Sequence, residues 1–211
     1  KSQSGTWAVE GVLLTSQELT SVWTGADSVW VVGRNGRVGK KLSGGSWMLE
    51  SGPGGMPITE DLYAVYGFGQ GTGQVTYVAG ANGLLLRRNS AGWVKEATGL
   101  TTQTLVAMFG SGEDNLYALG NKGAVLKRSG GTWVSSPIRQ FTGGAAGVGG
   151  SLTPQTGEIW IAGTRGTILR QAGTDWQSEV SLTVQPFSSI GVAGANDVYV
   201  VGPSGLILHK F

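Results

Sequence analysis

Cysteine is absent from this chain, histidine occurs once and charged residues are scarce. Without cysteine there are no disulfides, no thiolate metal ligands and no thiol catalysis. One histidine, His209, leaves almost no material for a Ser-His-Asp site or a His-rich metal centre. Charged residues make up 13% of the chain, against about 25% in ordinary globular domains. Their balance is a formal +2, too small for a general attraction to nucleic acid, and no specific nucleic-acid role is expected. No apolar run reaches the roughly 18 residues needed to span a bilayer as a helix. No window combines helical apolar periodicity with caps, so essentially no helix is expected. The first residue is Lys1 rather than Met, which reads as a processed or trimmed start.

What the chain does have is glycine, 38 residues of 211, and eight tryptophans. They recur in order. An apolar run, a glycine, a two-residue break closed by a second glycine, and another apolar run read as a hairpin with a tight turn. It occurs at 29–36, 76–83, 116–123, 159–166 and 198–205. The first glycines are Gly33, Gly80, Gly120, Gly163 and Gly202, at intervals of 47, 40, 43 and 39 residues. A tryptophan follows four of these hairpins, as Trp47, Trp93, Trp133 and Trp176. A further apolar run precedes each hairpin, at 19–23, 62–66, 105–109, 146–148 and 187–190. A period of about 40 to 45 residues with four strands per unit is that of a propeller blade.

The fifth copy ends at Phe211 without its tryptophan strand, and Gly5-Thr6-Trp7 near the start has the tryptophan cue without a hairpin before it. The expectation is therefore one all-β domain over residues 1–211, a five-bladed β-propeller of four-stranded antiparallel blades. The repeats run approximately over 18–50, 61–97, 104–137, 145–180 and 187–211, and residues 5–10 supply the last strand and close the ring.

The lead into the second strand of each unit is Gly25–Asp27, Gly112–Asn115 and Gly194–Asp197, with weaker forms at Gly73-Gln74 and Gly157-Glu158. With the Gly-x-x-Gly turn and the Gly-x-Trp cue, the unit resembles glycine-rich propeller repeats of the BNR type and of the photosystem II assembly factor family. It looks closest to secreted or lipid-anchored repeat proteins of myxobacteria and related Gram-negative bacteria. The resemblance spans all five repeats and implies a non-catalytic, extracytoplasmic binding or assembly module without a cofactor. The chain departs from the Asp-box form Ser-x-Asp-x-Gly-x-x-Trp, because Ser129–Trp133 is shorter and has no aspartate.

Three sets of residues are candidates for contact with a partner. Trp30, Tyr77, Tyr117, Trp160 and Tyr199 share one repeat position, and Trp7, Trp47, Trp93, Trp133 and Trp176 share another, which is what blade packing requires. Trp23, Tyr66 and Phe109, near the end of the first strand, are the aromatic binding candidates. Basic residues form the second set. Seven residues past the marker glycines stand Lys40, Arg87, Lys127, Arg170 and His209, and one further on Lys41, Arg88, Arg128, Gln171 and Lys210. Strand alternation sends one member of each pair between blades and the other outward, either as an anion-binding rim or as aliphatic stems with their charges paired. The third set is Arg34, Lys122 and Arg165 in the hairpin turns and Arg139 in the loop at 135–141, since no turn conformation demands them. The expected partner is a protein or, alternatively, a glycan bound in lectin fashion; acidic polysaccharide or an anionic surface would suit the basic rim. A glycosidase is the remaining, lesser reading, and no catalytic or metal-binding residue is assigned.

Overall fold

The computed structural model describes residues 9, 16–96, 99–139, 141, 150–152, 159–172, 175–194 and 197–211. They form five antiparallel sheets in chain order, and no α-helix occurs among them. Blade 1 comprises β1 (Leu19–Thr24), β2 (Ser28–Gly33), β3 (Val38–Leu42) and β4 (Trp47–Leu49). Blade 2 comprises β5 (Leu62–Phe68), β6 (Val75–Gly80), β7 (Leu85–Asn89) and β8 (Gly92–Lys95). Blade 3 holds β9 (Leu105–Gly110), β10 (Leu116–Gly120), β11 (Val125–Ser129) and β12 (Thr132–Ser135). Blade 4 holds β13 (Gly150–Leu152), β14 (Ile159–Ala162), β15 (Ile168–Ala172) and β16 (Asp175–Glu179). Blade 5 has three described strands, β17 (Ser189–Gly194), β18 (Asp197–Val201) and β19 (Ile207–Lys210).

The hairpin between the second and third strands sets the register of every blade. In blade 2 the amide of Leu84 donates to the carbonyl of Ala81, with Asn82 at φ 56° and Gly83 at φ 68°. Two consecutive left-handed residues make a type I′ turn, whose twist suits a hairpin. The same pair of positive φ values occurs at Asn35-Gly36, Arg165-Gly166 and Ser204-Gly205. In blade 3 Gly123 alone is left-handed, at φ 88°.

The first strand of each blade packs on the first strand of the next, β1 on β5, β5 on β9, β9 on β13 and β13 on β17. Between successive blades lie four apolar cores. The first is built on Trp30, Val32, Leu62 and Trp93, the second on Tyr77, Leu85, Leu105 and Trp133. The third contains Phe109, Tyr117, Ile138 and Phe141, and the fourth Trp160, Phe187, Ile190 and Val200. Both faces of a blade in the interior of the array are thus apolar, which explains the near-continuous hydrophobic second strands.

One expectation is altered. The first strand of blade 4 is Gly150–Leu152, paired with β14 through Gly150 and Ile161, whereas the sequence placed it at 146–148, outside the described residues. Of the closing strand expected at 5–10 only Val9 is described, exposed and outside any strand, and the rest lies outside the described residues. Among the described residues the array has two open ends, and no apolar core joins blade 5 to blade 1.

Candidate partner-binding face and the blade interfaces

The basic pairs are a structural device, and their geometry repeats from blade to blade. The first member lies directly across the strand pair from an aromatic residue: Lys40 from Trp30, Arg87 from Tyr77, Lys127 from Tyr117, Arg170 from Trp160 and His209 from Tyr199. Lys40 Nζ stands 4.9 Å over the Trp30 ring and Lys127 Nζ 5.3 Å over Tyr117. His209 stacks on Tyr199 at 4.1 Å and bonds Asp197 at 2.8 Å. Arg170 also pairs with Glu179 at 3.2 Å.

The second member faces the preceding blade. Arg88 grips Glu50 at 2.9 Å and lies 5.3 Å over Trp30, Arg128 meets Glu96 at 3.3 Å and lies 5.4 Å over Tyr77, and Lys210 meets Glu179 at 2.6 Å and lies 5.2 Å over Trp160. The same ring receives the next blade's tryptophan edge-on: Trp93 on Trp30 at 87°, Trp133 on Tyr77 at 78° and Trp176 on Tyr117 at 89°. The interfaces of blade 1 with blade 2 and of blade 2 with blade 3 thus combine an aromatic T-contact, a cation over the ring and a salt bridge. In blades 2, 3 and 4 both faces are interfaces, so strand alternation divides the pair between two neighbours, whereas His209 of blade 5 is exposed.

The carboxylates in these bridges carried a signal that the sequence reading missed. Glu50, Glu96 and Glu179 each stand three residues after Trp47, Trp93 and Trp176. After Trp133 the position is Ser136, and the facing residue in the next blade is Gln171 rather than a cation. Gln171 Nε2 donates to the Tyr117 hydroxyl at 2.9 Å instead. Acid and base are present together or absent together.

A denser cluster lies where blades 2 and 3 meet. The Tyr77 hydroxyl donates to Glu113 at 2.6 Å, and Arg87 Nε donates to both Tyr77 and Glu113 at 3.0 Å. Burial and the Glu113 charge push the Tyr77 phenol well above its usual range. Burial works to raise Glu113 too, but hydrogen bonds from Tyr77 and Arg87 and the charges of Arg87 and Arg128 win and hold it below the usual carboxylate range. This is an interface lock in which the buried Tyr77 hydroxyl ties the part-buried Arg87 and Glu113 together.

The aromatic candidates are likewise absorbed by packing. Phe109 is buried and stacks on Tyr117 at 5.6 Å. The Tyr66 hydroxyl donates to the carbonyl of Gly110 at 3.0 Å. Trp23 is half-buried against Gly67 of blade 2, where an added Cβ would come within 2.7 Å of the indole.

The hairpin turns and the loops linking blades share one end of the array. The carbonyls of Ile58 and Thr183 close on Gly36 and Gly166, within 2.0 and 1.8 Å of where a Cβ would stand. On this face Arg34 bonds Glu18 at 3.3 Å, Asp61 at 2.9 Å and the Tyr63 hydroxyl. The Asn35 amide donates to Asp61 at 2.9 Å; this bond and the Arg34 guanidinium hold the Asp61 carboxyl below its usual range. Lys122, Arg139 and Arg165 are exposed. Ile138 and Phe141 bury on either side of Arg139, and Phe141 packs on Gly163, directly before the turn that carries Arg165. Arg165 holds φ 56°, a conformation that costs a branched or long side chain about 1 kcal/mol. A cleft of about 460 Å³ lies between β16 and β19, and its lining residue Ser181 approaches Gly166 of the turn that carries Arg165. Among the described residues no group of three acidic, His or Cys side chains is arranged to hold a metal.

No family model and no curated protein matches the chain. Solved structures do. YCF48 from Cyanidioschyzon merolae is 18% identical with a TM-score of 0.68, covering 92% of this chain and 67% of that one. YCF48 bound to D1 peptide matches at 0.51 and 14% identity, covering 93% of this chain and 94% of that one. The WD40 β-propeller domain of Doa1 matches at 0.70 and 10% identity, covering 92% and 65%. The extracellular domain of the two-component system protein BT3049 from B. thetaiotaomicron matches at 0.70 and 14% identity, covering 100% and 28%. The likeness at these identities is one of fold, an array of β-propeller blades. The chain spans about two-thirds of the YCF48 and Doa1 chains from which those first figures come, and about a quarter of BT3049.

Proposed function

We propose that the chain is a non-catalytic, extracytoplasmic binding module that engages a protein partner on the face made by its hairpin turns and blade-linking loops. Its last blade is completed by residues 5–10 as a fourth strand. The observation that carries the functional reading is the character of that face. Three exposed cations, Lys122, Arg139 and Arg165, stand on it beside the Arg34, Glu18 and Asp61 network, and Arg165 is held in a left-handed turn where asparagine or glycine would be easier. A broad surface of mixed charge suits a polypeptide with acidic groups. YCF48, which shares the fold, is known bound to a peptide. A glycan platform would need exposed aromatic faces, and the repeated Trp30, Trp93, Trp133 and Trp160 are buried.

Selection of a random peptide display library on the immobilised chain tests the reading. Enriched peptides are expected to carry acidic residues and to lose at least tenfold in affinity when Lys122, Arg139 and Arg165 are replaced together by alanine. Glycan-array binding of one sugar class at several sites per chain, with no peptide selected, would overturn it.

A further inference from the structure

The loop linking blade 4 to blade 5 carries an exposed apolar stripe in a strained conformation. Val180, Leu182 and Val184 alternate along it and are 85, 94 and 84% exposed. Leu182 holds φ 56°. A bulky side chain in the left-handed region is strained where glycine would be free. Packing does not hold it there, because the side chain stands almost wholly in solvent. The backbone is nonetheless tied down. Ser181 Oγ donates to the carbonyl of Thr183 at 3.0 Å, and the amide of Gln185 donates to Thr183 Oγ1 at 3.1 Å. The amide of Gly166 donates to the carbonyl of Gln185 at 2.9 Å, and that of the buried Phe187 to the carbonyl of Gly163 at 3.0 Å.

The loop between blades 2 and 3 shows what this anchorage requires. There the amide of Gln103 donates to Thr101 Oγ1 at 3.1 Å and the amide of Gly83 to the carbonyl of Gln103 at 2.9 Å. The two loops share Leu-Thr-x-Gln, at 100–103 and at 182–185. The first takes its left-handed residue as glycine, Gly99 at φ 86°, keeps Leu100 at 37% exposure and has an exposed threonine, Thr102, where Val184 stands. The anchorage therefore accounts for Thr183 and Gln185 and leaves Leu182 and Val184 without a structural reason.

The stripe adjoins the cations of the partner face. Phe141, two residues after Arg139, packs on Gly163, and the 181–185 loop closes on Gly166, so both loops meet the turn that carries Arg165. We infer, resting on the reading of the hairpin-turn face as the partner surface, that Val180, Leu182 and Val184 are the apolar half of that site. The polypeptide it takes has an aliphatic or aromatic side chain near an acidic one: the apolar group packs on Leu182 and Val184, and the carboxylate pairs with Arg165. Desolvating aliphatic side chains supplies affinity that an exposed ion pair does not, while the cation fixes orientation. A backbone already tied down presents them with little ordering left to be done on binding. A lipid surface suits the loop less well. Lys122, Arg139 and Arg165 come from three separate segments rather than one cluster of about four to eight cations, and residues 180–186 include no tryptophan or tyrosine for the headgroup region.

Random peptide display on two immobilised proteins, wild type and Leu182→Ser combined with Val184→Ser, tests the inference. Peptides selected on wild type are expected to place an apolar residue near an acidic one and to bind the serine variant about tenfold more weakly or worse. Peptides selected on the variant keep the acid and lose the apolar position. Leu182→Gly separates binding from folding. It is expected not to lower the melting temperature, because relief of left-handed strain offsets the added freedom of the unfolded chain, while the same peptides lose affinity. Acidic peptides that need Lys122, Arg139 and Arg165 but bind both proteins equally overturn the inference and leave the partner face standing. No enrichment, or peptides that depend on neither set of residues, overturns both. Co-sedimentation with phosphatidylcholine–phosphatidylserine vesicles that the serine variant abolishes would make the loop a membrane anchor and also overturn the inference.

Discussion

Arg128 is among the most deeply enclosed cations described, 6% exposed, with Glu96 at 3.3 Å and the carbonyls of Glu113 and Gly131 each at 3.2 Å. A buried pair of this kind is costly to break from one side and cheap to remove whole. Glu96→Gln is expected to lower stability by about 3 kcal/mol, and Glu96→Leu with Arg128→Leu by much less than the sum of the two single changes. Urea unfolding of the four proteins in a double-mutant cycle measures the difference. Asp61, on the open face, gives a pH-dependent counterpart. Its folded pKa lies below the ordinary 3.8, so its contribution is fully present above that value and disappears as pH falls through the lowered one. Asp61→Asn is therefore expected to be less stable than wild type at pH 6, with the gap closing toward pH 2. Denaturation midpoints across that range check the sign.

The fourth strand of a blade is short and mostly exposed, yet its tryptophan and the residue three further on decide how the next blade sits. The Glu and Lys/Arg pair recurs at three described interfaces and is replaced by Ser136 and Gln171 at the one between blades 3 and 4. That substitution makes a natural experiment. Ser136→Glu alone buries a charge without a partner, and Gln171→Lys alone does the same with the opposite sign; each is expected to cost about 1 to 3 kcal/mol. Together they recreate the pair and should recover most of the loss, which thermal unfolding of the single and double variants will report. Removing the tryptophan of this strand, as in Trp133→Ala, should cost about 3 to 5 kcal/mol, because it empties an interface on Tyr77.

For the whole molecule, an array of repeated blades has stability that depends on neighbours. Blades 2, 3 and 4 are packed on both faces, whereas blades 1 and 5 each have one open face among the described residues. Amide exchange at low protein concentration should therefore be slowest in β6, β10 and β14 and faster in β18. Equal protection in β10 and β18 at the lowest concentration would mean that blade 5 is already covered.

Much of this was readable from sequence because it is local and repeated. The spacing of Gly33, Gly80, Gly120, Gly163 and Gly202 specified the blades, since a type I′ turn demands left-handed residues at fixed places and strand alternation follows from the chain itself. Blade 4 escaped that logic at its first strand, where a glycine-rich stretch offers no apolar pattern to read. The role of the basic pairs was hidden for a different reason: which carboxylate meets Arg88 or Arg128 depends on how two blades pack, and the partners stand 38 and 32 residues away. The sequence by itself determined the blade, its turns and its count. Only the tertiary structure decided that the cations lock one blade to the next and that Trp23, Tyr66 and Phe109 belong to packing. Turn conformation is set within a few residues, whereas the angle between blades is set by the volume and charge of side chains that meet across an interface.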